Sequence, residues 1–482
     1  MRETTDGPGY DAVVGLEVHC ELKTTSKLFC GCPNVFGADP NTNVCPVCLG
    51  LPGSLPVLNA RAVELAMRIG LALHCEVRPS IFHRKNYFYP DMPKDYQVSQ
   101  YDEPINVNGY LELPDGSRVG IVRAHMEEDT GKTTHIGGGG RIHDADHALI
   151  DYNRAGVPLV EIVSAPDLRS AAQARAYVAE LRAILVATDA SDGRMEEGSL
   201  RVDANVSVRP AGSHALGTRT EIKNLNSLRS LTRAIDHEIS RQVNLLSSGE
   251  PVIQQTRHWD EDAGRTVPLR SKEEAFDYRY FPEPDLVPIA PDPGWQKDVA
   301  SSLPLLPPER RVRLRHLLAT TEVTGPQEDQ IATVVEHGLD ELVLAAAEAD
   351  VPPPLALART ANEASASPEA ARAVDRAAYV SLLRMEHVGE LTATQTKAVL
   401  AELLEHGGDP AEIRQRKGFE TLGAESLASV VAEVIAANPD EWERYRAGED
   451  KLAGFFTGQV MKKTIGKADG KAVAAELRRL RG

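Results

Sequence analysis

Apolar and polar residues alternate along this chain with two different periods, and the switches between them mark out its elements. Between 11 and 23, Val13, Gly15, Glu17, His19 and Glu21 alternate with Val14, Leu16, Val18, Cys20 and Leu22. A period of two predicts a strand with one apolar and one polar face. Glu17, His19 and Glu21 share the polar face, either at a solvent-facing strand edge or as a row of ligands looking into a cleft. Residues 57–74 have helical spacing through Val63, Ala66, Met67 and Gly70. Residues 105–136 predict two strands joined at Pro114-Asp115-Gly116, a strong turn signal. Residues 149–164 are apolar with polar punctuation, 170–188 form an amphipathic helix, 200–209 a strand and 228–247 a long helix. Strands and helices are thus intermixed, without a regular strand–helix–strand rhythm, which predicts an α+β body with hairpins.

Pro282, Pro284, Pro288, Pro291 and Pro293 end that body. From about 308 the pattern is helical and rich in Ala and Leu, interrupted at Pro352-Pro353-Pro354. From about 410 a small helical bundle is expected, with a Gly-punctuated segment from Gly454 to Gln459. The expected division is 1–293, 294–408 and 409–482. A chain of 482 residues exceeds one ordinary core, in keeping with several domains. The N-terminus lacks an apolar signal region, and no apolar run approaches the roughly 18 residues of a membrane span. A cytoplasmic protein with no membrane contact is expected. Net charge is −17, but residues 451–482 carry eight Lys or Arg against two acids, leaving the rest at −23. The basic tail suits either a phosphate-backbone contact or helix C-termini that prefer cations.

Two acidic phrases change the picture: His125-Met126-Glu127-Glu128-Asp129-Thr130-Gly131-Lys132, and Met195 to Asn205 with Glu196, Glu197, Arg201 and Asp203. Clustered carboxylates on ordered chain repel one another unless a cation sits among them. Mg²⁺, a hard ion that works with phosphate, is the first candidate, and ATP chemistry follows from it. The alternative is a pair of surface hairpins with solvated charges. Thr130-Gly131-Lys132-Thr133 imitates the end of a P-loop, but Met126 stands where that motif needs Gly. His143-Asp144-Ala145-Asp146-His147 has metal-like spacing with nothing to fix it, and is set aside. Cys30, Cys32, Cys45 and Cys48 form C-x-C-x12-C-x2-C, read as a closed structural zinc knuckle, or else as four free thiols. Cys20 and Cys75 stand alone and read as buried small hydrophobes.

At Ile150-Asp151-Tyr152-Asn153-Arg154-Ala155-Gly156-Val157-Pro158-Leu159-Val160-Glu161-Ile162-Val163 the chain resembles one family: the B subunits of the tRNA-dependent amidotransferase, which convert misacylated Glu-tRNA(Gln) and Asp-tRNA(Asn) to their amides. The resemblance extends through Val14 to His19, Arg84 to Asp91, His125 to Lys132, Met195 to Asn205, Glu221 to Ser227, Asp277 to Asp285 and Gly454 to Lys463, nearly the whole chain. The connector departs from the family pattern at Leu355 to Glu363. The resemblance implies a catalytic cradle akin to glutamine synthetase with a mixed or antiparallel sheet, then an all-α connector and a helical, tRNA-binding tail. It implies phosphorylation of the side-chain carboxylate by ATP, then attack by ammonia. The chain carries no glutaminase signature of its own, so ammonia would come from an amidase-like A subunit, with a small C subunit completing a heterotrimer. Glu17, His19, Glu127, Glu128 and Glu161 are the expected Mg²⁺ shell, with Glu127 and Glu128 also catalytic. Lys85, Lys132, Arg154 and Lys223 would neutralise phosphate. Asn153, Asn205, Asn224 and Asn226 would orient the aminoacyl end, with Asn86, Glu197, Arg201 and Asp203 on the substrate side. Tyr87, Phe88 and Tyr89 would stack the terminal adenosine or serve as core aromatics. A ligase acting on a free amino acid and a non-catalytic tRNA scaffold remain the competing readings.

Overall fold

The row of alternating residues at 11–23 lies at the centre of a sheet, which decides how every other element is placed. The computed structural model describes residues 9–137, 145–269, 278–319, 327–419, 424–464, 468 and 470–481. His143 and Asp144 of the set-aside cluster, Gly138 to Gly140, and Asp277 lie outside them. The chain divides into two compact units, residues 1–308 and 309–482.

The first unit runs β1 (Tyr10–Glu21), α1 (Ala60–Ala72), β2 (Glu76–Val77), β3 (His83–Asn86), β4 (Tyr96–Ser99), β5 (Asn106–Glu112), β6 (Arg118–Glu128), β7 (Lys132–Ile136), β8 (His147–Asp151), β9 (Pro158–Ser164), α2 (Ala171–Ala187), β10 (Leu200–Pro210), β11 (Thr220–Leu225), α3 (Leu228–Ser247), β12 (Gln255–Asp260), β13 (Arg265–Pro268), β14 (Phe281–Pro282) and α4 (Pro293–Ser301). Twelve strands form one sheet in the order β13-β12-β11-β10-β1-β9-β6-β4-β3-β14, with β5 pairing β6 and β2 pairing β5. Among the described residues only the β11–β12 pair is parallel. The body is therefore α+β, as the intermixed pattern predicts. β7 and β8 make a separate two-stranded ribbon.

One face of the sheet is apolar. Val14, Leu16, Val18 and Cys20 of β1 share a core with Ala124 and Met126 of β6, Val160 and Ile162 of β9, and Val202 and Ala204 of β10. The same core takes in Val63 and Met67 of α1, Tyr177 and Leu181 of α2, and Leu231 and Ile235 of α3. The helices begin where the sequence supplies caps. The Asn59 side chain accepts from the Arg61 and Ala62 amides at α1, and Ser227 accepts from Ser230 at α3. The apolar stretch at 149–164 is not one strand. A turn at 152–157, with Gly156 at φ +83°, separates β8 from β9. Cys20 and Cys75 are buried, and burial pushes both thiols up to about 12.

In the second unit, α5 (Pro307–Ala319), α6 (Glu328–Glu336), α7 (Asp340–Glu348), α8 (Pro353–Asn362), α9 (Pro368–Ala373), α10 (Arg376–His387), α11 (Ala393–His406) and α12 (Pro410–Arg416) share an apolar core extending from Leu314 to Ile413. The divergent connector segment packs within it. Ala356, Leu357, Thr360 and Ala361 of α8 are buried, and Thr360 hydrogen-bonds the Tyr379 hydroxyl at 2.8 Å. A second core, from Leu427 to Leu477, joins α13 (Ala424–Ala437), α14 (Pro439–Arg446), α15 (Leu452–Lys463) and α16 (Gly470–Arg481).

Gly70 lets α1 lie close to the sheet. A Cβ there would stand 1.9 Å from Oδ1 of Asn106, a fully buried side chain that donates to the Ala66 and Ala124 carbonyls. Helix propensity alone would make Gly70→Ala stabilising by about 1 kcal/mol. The clash reverses the sign, and a loss of about 1–3 kcal/mol is expected in urea unfolding of the variant.

Candidate active site

The other face of the same strands carries the chemistry. Register sets Glu17 opposite Asp203, His19 opposite both Arg201 and Glu161, and His125 opposite Glu161. Directly paired residues on one face have Cβ atoms about 5 Å apart. Alternation in four central strands thus gathers Glu17, His19 and Glu21, then Arg201, Asp203 and Asn205, with Glu161, His125 and Glu127. Like charges placed side by side on a sheet destabilise it, so this wall is retained at a cost to folding.

At its centre His19, Glu127 and Glu161 each offer a ligand atom, all within 4.8 Å of one another. His19 Nε2 lies 3.7 Å from Glu161 Oε2, and His125 Nε2 lies 3.5 Å from the same oxygen. Ser99 Oγ donates to Glu127 Oε2 at 3.3 Å. Burial takes His19 down to about 4 and His125 down to about 3, so both imidazoles are neutral at pH 7. Burial, then repulsion from Glu161, raises Glu127 well above the usual carboxylate range. Two crowded carboxylates and a neutral imidazole form an O,O,N donor set that suits a divalent cation. Glu17 stands one alternation further along β1, where Asn205 Nδ2 donates to its Oε1 at 2.9 Å. Burial, then Glu161, raises it too.

Glu128 corrects the expected metal shell. Consecutive strand residues point to opposite faces, and Glu128 turns away from Glu127. Its carboxylate is buried in an ion pair with Lys94 and accepts the Val98 amide at 2.8 Å. It holds β4 to β6 and does not face the cleft.

Two groups of cations flank the triad. Arg201 Nη2 donates to Asp129 Oδ2 at 2.6 Å, and Arg154 Nε lies 3.6 Å from the same oxygen. Burial opposes ionisation of Asp129, but Arg201 and Arg154 outweigh it and hold this carboxyl below its ordinary range. Burial and the Asp129 charge push the neighbouring Glu21 up to about 8. On the other side Lys223 Nζ pairs with Asp203 at 3.0 Å and Glu221 at 3.1 Å. Beside Glu17 a cavity of about 480 Å³ opens, lined among others by Gly15, Ser164, Asn205, Gly217 and Arg219. Gly217 is held there by contact: a Cβ would meet the Val208 carbonyl oxygen at 2.1 Å.

Several expected residues have donors already committed, stand at the surface or stack on each other. Asn153 Nδ2 donates to the Asp39 carbonyl and its Oδ1 accepts the Asn43 amide, both at 2.7 Å. Asn86 Nδ2 donates to the Tyr278 and Arg279 carbonyls. Asn224 donates to the Trp259 carbonyl, and Asn226 donates to Asn224. Glu197 pairs with Arg194 at 2.8 Å. Lys132 is exposed on the β7–β8 ribbon, and Phe88 is 77% exposed, while Tyr87 and Tyr89 stack on each other at 4.9 Å. Lys85 remains near the triad, its Nζ 4.9 Å over the Tyr278 ring. His125 and Asp129 also belong to the site, although the motif reading assigns neither a role. His125 shares the period-two face of Glu127, a signal the sequence did contain.

Cys30, Cys32, Cys45 and Cys48 bring their sulfurs within 4.8 Å of one another, a group that can hold zinc. The Cys45 amide donates to Cys48 Sγ at 3.1 Å. Lys27 is fully buried beside them, its Nζ donating to the Asn43 and Tyr152 carbonyls. Asn41, through its amide to Asp151 Oδ1 and its Nδ2 to the Ile150 carbonyl, ties the same loop to the end of β8.

Residues 12–297 match the family model described as the GatB/GatE catalytic domain, and residues 356–480 match the one described as the GatB domain. Curated relatives are similar over nearly their full length. The B subunit of the aspartyl/glutamyl-tRNA(Asn/Gln) amidotransferase of a Nocardioides species is 48% identical, over 96% of this chain and 95% of its own. The protein of the same name from Nocardia farcinica is 48% identical, over 96% and 94%. That from Carboxydothermus hydrogenoformans is 47% identical, over 97% and 98%.

Lys94→Met should strand a buried carboxylate at Glu128 and lower stability by about 3–5 kcal/mol, read from denaturant midpoints. Elemental analysis of the purified protein should find one zinc per chain, and none at the knuckle after Cys45→Ser.

Proposed function

The chain belongs to the family of aspartyl/glutamyl-tRNA(Asn/Gln) amidotransferase B subunits, and from that premise we propose how its polar sheet face does the family's work. The protein acts in tRNA-dependent transamidation, as one subunit of a multi-subunit, glutamine-hydrolysing amidotransferase that acts on tRNA. The reaction places a substrate carboxylate against the terminal phosphate of ATP, so anion must meet anion. Catalysis is then mostly positioning and charge neutralisation. One observation carries the residue-level reading: His19, Glu127 and Glu161 converge on the same face as the 480 Å³ cavity.

In this reading His19, Glu127 and Glu161 hold Mg²⁺, which when bound supplies charge neutralisation between phosphate and carboxylate. The raised Glu127 and the neutral His19 are groups whose electrostatics improve when a cation joins them. The cavity beside Glu17 takes the nucleoside of ATP. Arg201, Lys223 and Lys85 oppose the phosphate charges, and Asp129 holds Arg201 in place. Arg154 keeps its donors on the Thr130 and Gly131 carbonyls and shapes the rim. The phosphorylated side chain is then amidated by ammonia from an amidase-like A subunit, with a small C subunit completing a heterotrimer. The tail, with its local balance of +6, contacts the tRNA backbone. No described helix is long and apolar enough to cross a membrane, and a cytoplasmic enzyme working on charged tRNA is the setting.

Glu127→Gln in the reconstituted complex should leave glutamine hydrolysis intact and lower ATP-dependent amidation of Glu-tRNA(Gln) by about 10²-fold or more. Amidation at the normal rate would refute the metal-shell assignment. Amidation of free glutamate without tRNA would favour an ordinary ligase.

A further inference from the structure

We propose that Tyr101 and Tyr280 form a stacking platform for the terminal nucleobase of the aminoacyl-tRNA, on the flank of the metal triad away from the nucleotide cavity. This rests on the reading that the acceptor is a tRNA-bound amino acid. The sheet order supplies the first argument. The triad lies on β1, β9 and β6, and the cavity opens over β1 and β10 and the loop at 216–219. Beyond β6 in the other direction come β4, β3 and β14. Tyr101 follows the end of β4, whose Ser99 pairs with Glu127 and donates to it. Tyr280 precedes β14, which pairs with β3 through Phe281 and Arg84.

The two rings lie 4.0 Å apart with planes 8° from parallel. His83 meets Tyr101 edge-on at 6.0 Å, and Tyr278 meets Tyr280 edge-on at 6.1 Å. Each ring thus has a second aromatic neighbour at a steep angle, and Tyr101 stays 52% exposed. Burial first, and then the charges of Glu127 and Glu161, raise the Tyr280 hydroxyl above its ordinary range, which sets this ring within the field of the triad. The segment carrying Tyr280 is fastened. Arg84 grips the buried Glu283 through two bonds of 2.7 and 2.8 Å, and Asn86 holds the Tyr278 and Arg279 carbonyls. A platform ordered in advance spends little binding energy on ordering itself.

Single-stranded RNA ends are bound by stacking unpaired bases on aromatic side chains. ATP also carries a purine, and the two flanks separate the two claims: the cavity beside Glu17 for the nucleotide, the stack with the exposed Tyr101 for the longer substrate.

The test uses the reconstituted complex and initial rates of amidation. Tyr101→Ala should raise KM for Glu-tRNA(Gln) about tenfold, the loss of one stacked base, while KM for ATP stays within about twofold. Tyr101→Phe, which keeps the ring, should behave as the parent. Tyr101→Leu, which keeps apolar bulk without a π face, should match the alanine variant and guards against a folding artefact. A rise in KM for ATP instead would assign the stack to the nucleotide and overturn the proposal, as would no change in either constant. If Glu127→Gln still abolishes amidation while the Tyr101 variants behave as the parent, only the platform fails. If Glu127→Gln is fully active, the underlying reading fails first.

Discussion

The pleat of β1 is the constraint on which the molecule turns. Val14, Leu16, Val18 and Cys20 must face the helices because nothing else fills that side of the core, and the pleat then forces Glu17, His19 and Glu21 to the other side. A slip of one residue would drop three ionisable groups into an apolar core and lift four apolar ones into the cleft. The register is therefore pinned by hydrophobic burial, and the chemistry is placed by the same energy. β10, β9 and β6 copy the arrangement outward, so that His19, Glu161, His125 and Glu127 meet through no loop at all. Sites on strands are held more closely than sites on loops, which suits a reaction dominated by positioning.

The polar wall is a balance of charges that would not otherwise share a surface. Asp129 is satisfied by Arg201 and Arg154, and Asp203 and Glu221 by Lys223. Glu127 and Glu161, near the middle, have no ion pair with a Lys or Arg among the described residues, and neither has Glu17 beside them. The imbalance sits where His19, Glu127 and Glu161 bring three donor atoms within 4.8 Å of one another.

Much of this was legible. The alternation at 13–22 showed both faces of β1, and the long helices at 170–188 and 228–247 fell within a residue of their observed ends. The four cysteines were legible because ligand spacing is local. What was not legible is nonlocal. Glu128 stands next to Glu127 in the chain, and only the position of Lys94 on the far side of the sheet shows that its carboxylate serves packing. Asn153, Asn86 and Asn224 sit in conspicuous motifs, yet their amide donors are committed to backbone carbonyls that the chain brings near only on folding. Tyr101 and Tyr280 lie in different segments of the sequence, and no periodicity joins them.

The cysteine knuckle is fastened twice. Its sulfurs can be drawn together by a metal, and its loop is separately stitched to the turn after β8 by Asn41, Asn43, Asn153 and Lys27. A loop with redundant moorings is free to lose one of them by drift. The asparagine and lysine bonds alone tie the loop to the turn that carries Arg154, whatever the cysteines hold. On this view a bound ion would be a reinforcement, and the asparagine stitching is what would hold the loop in place if the metal were removed.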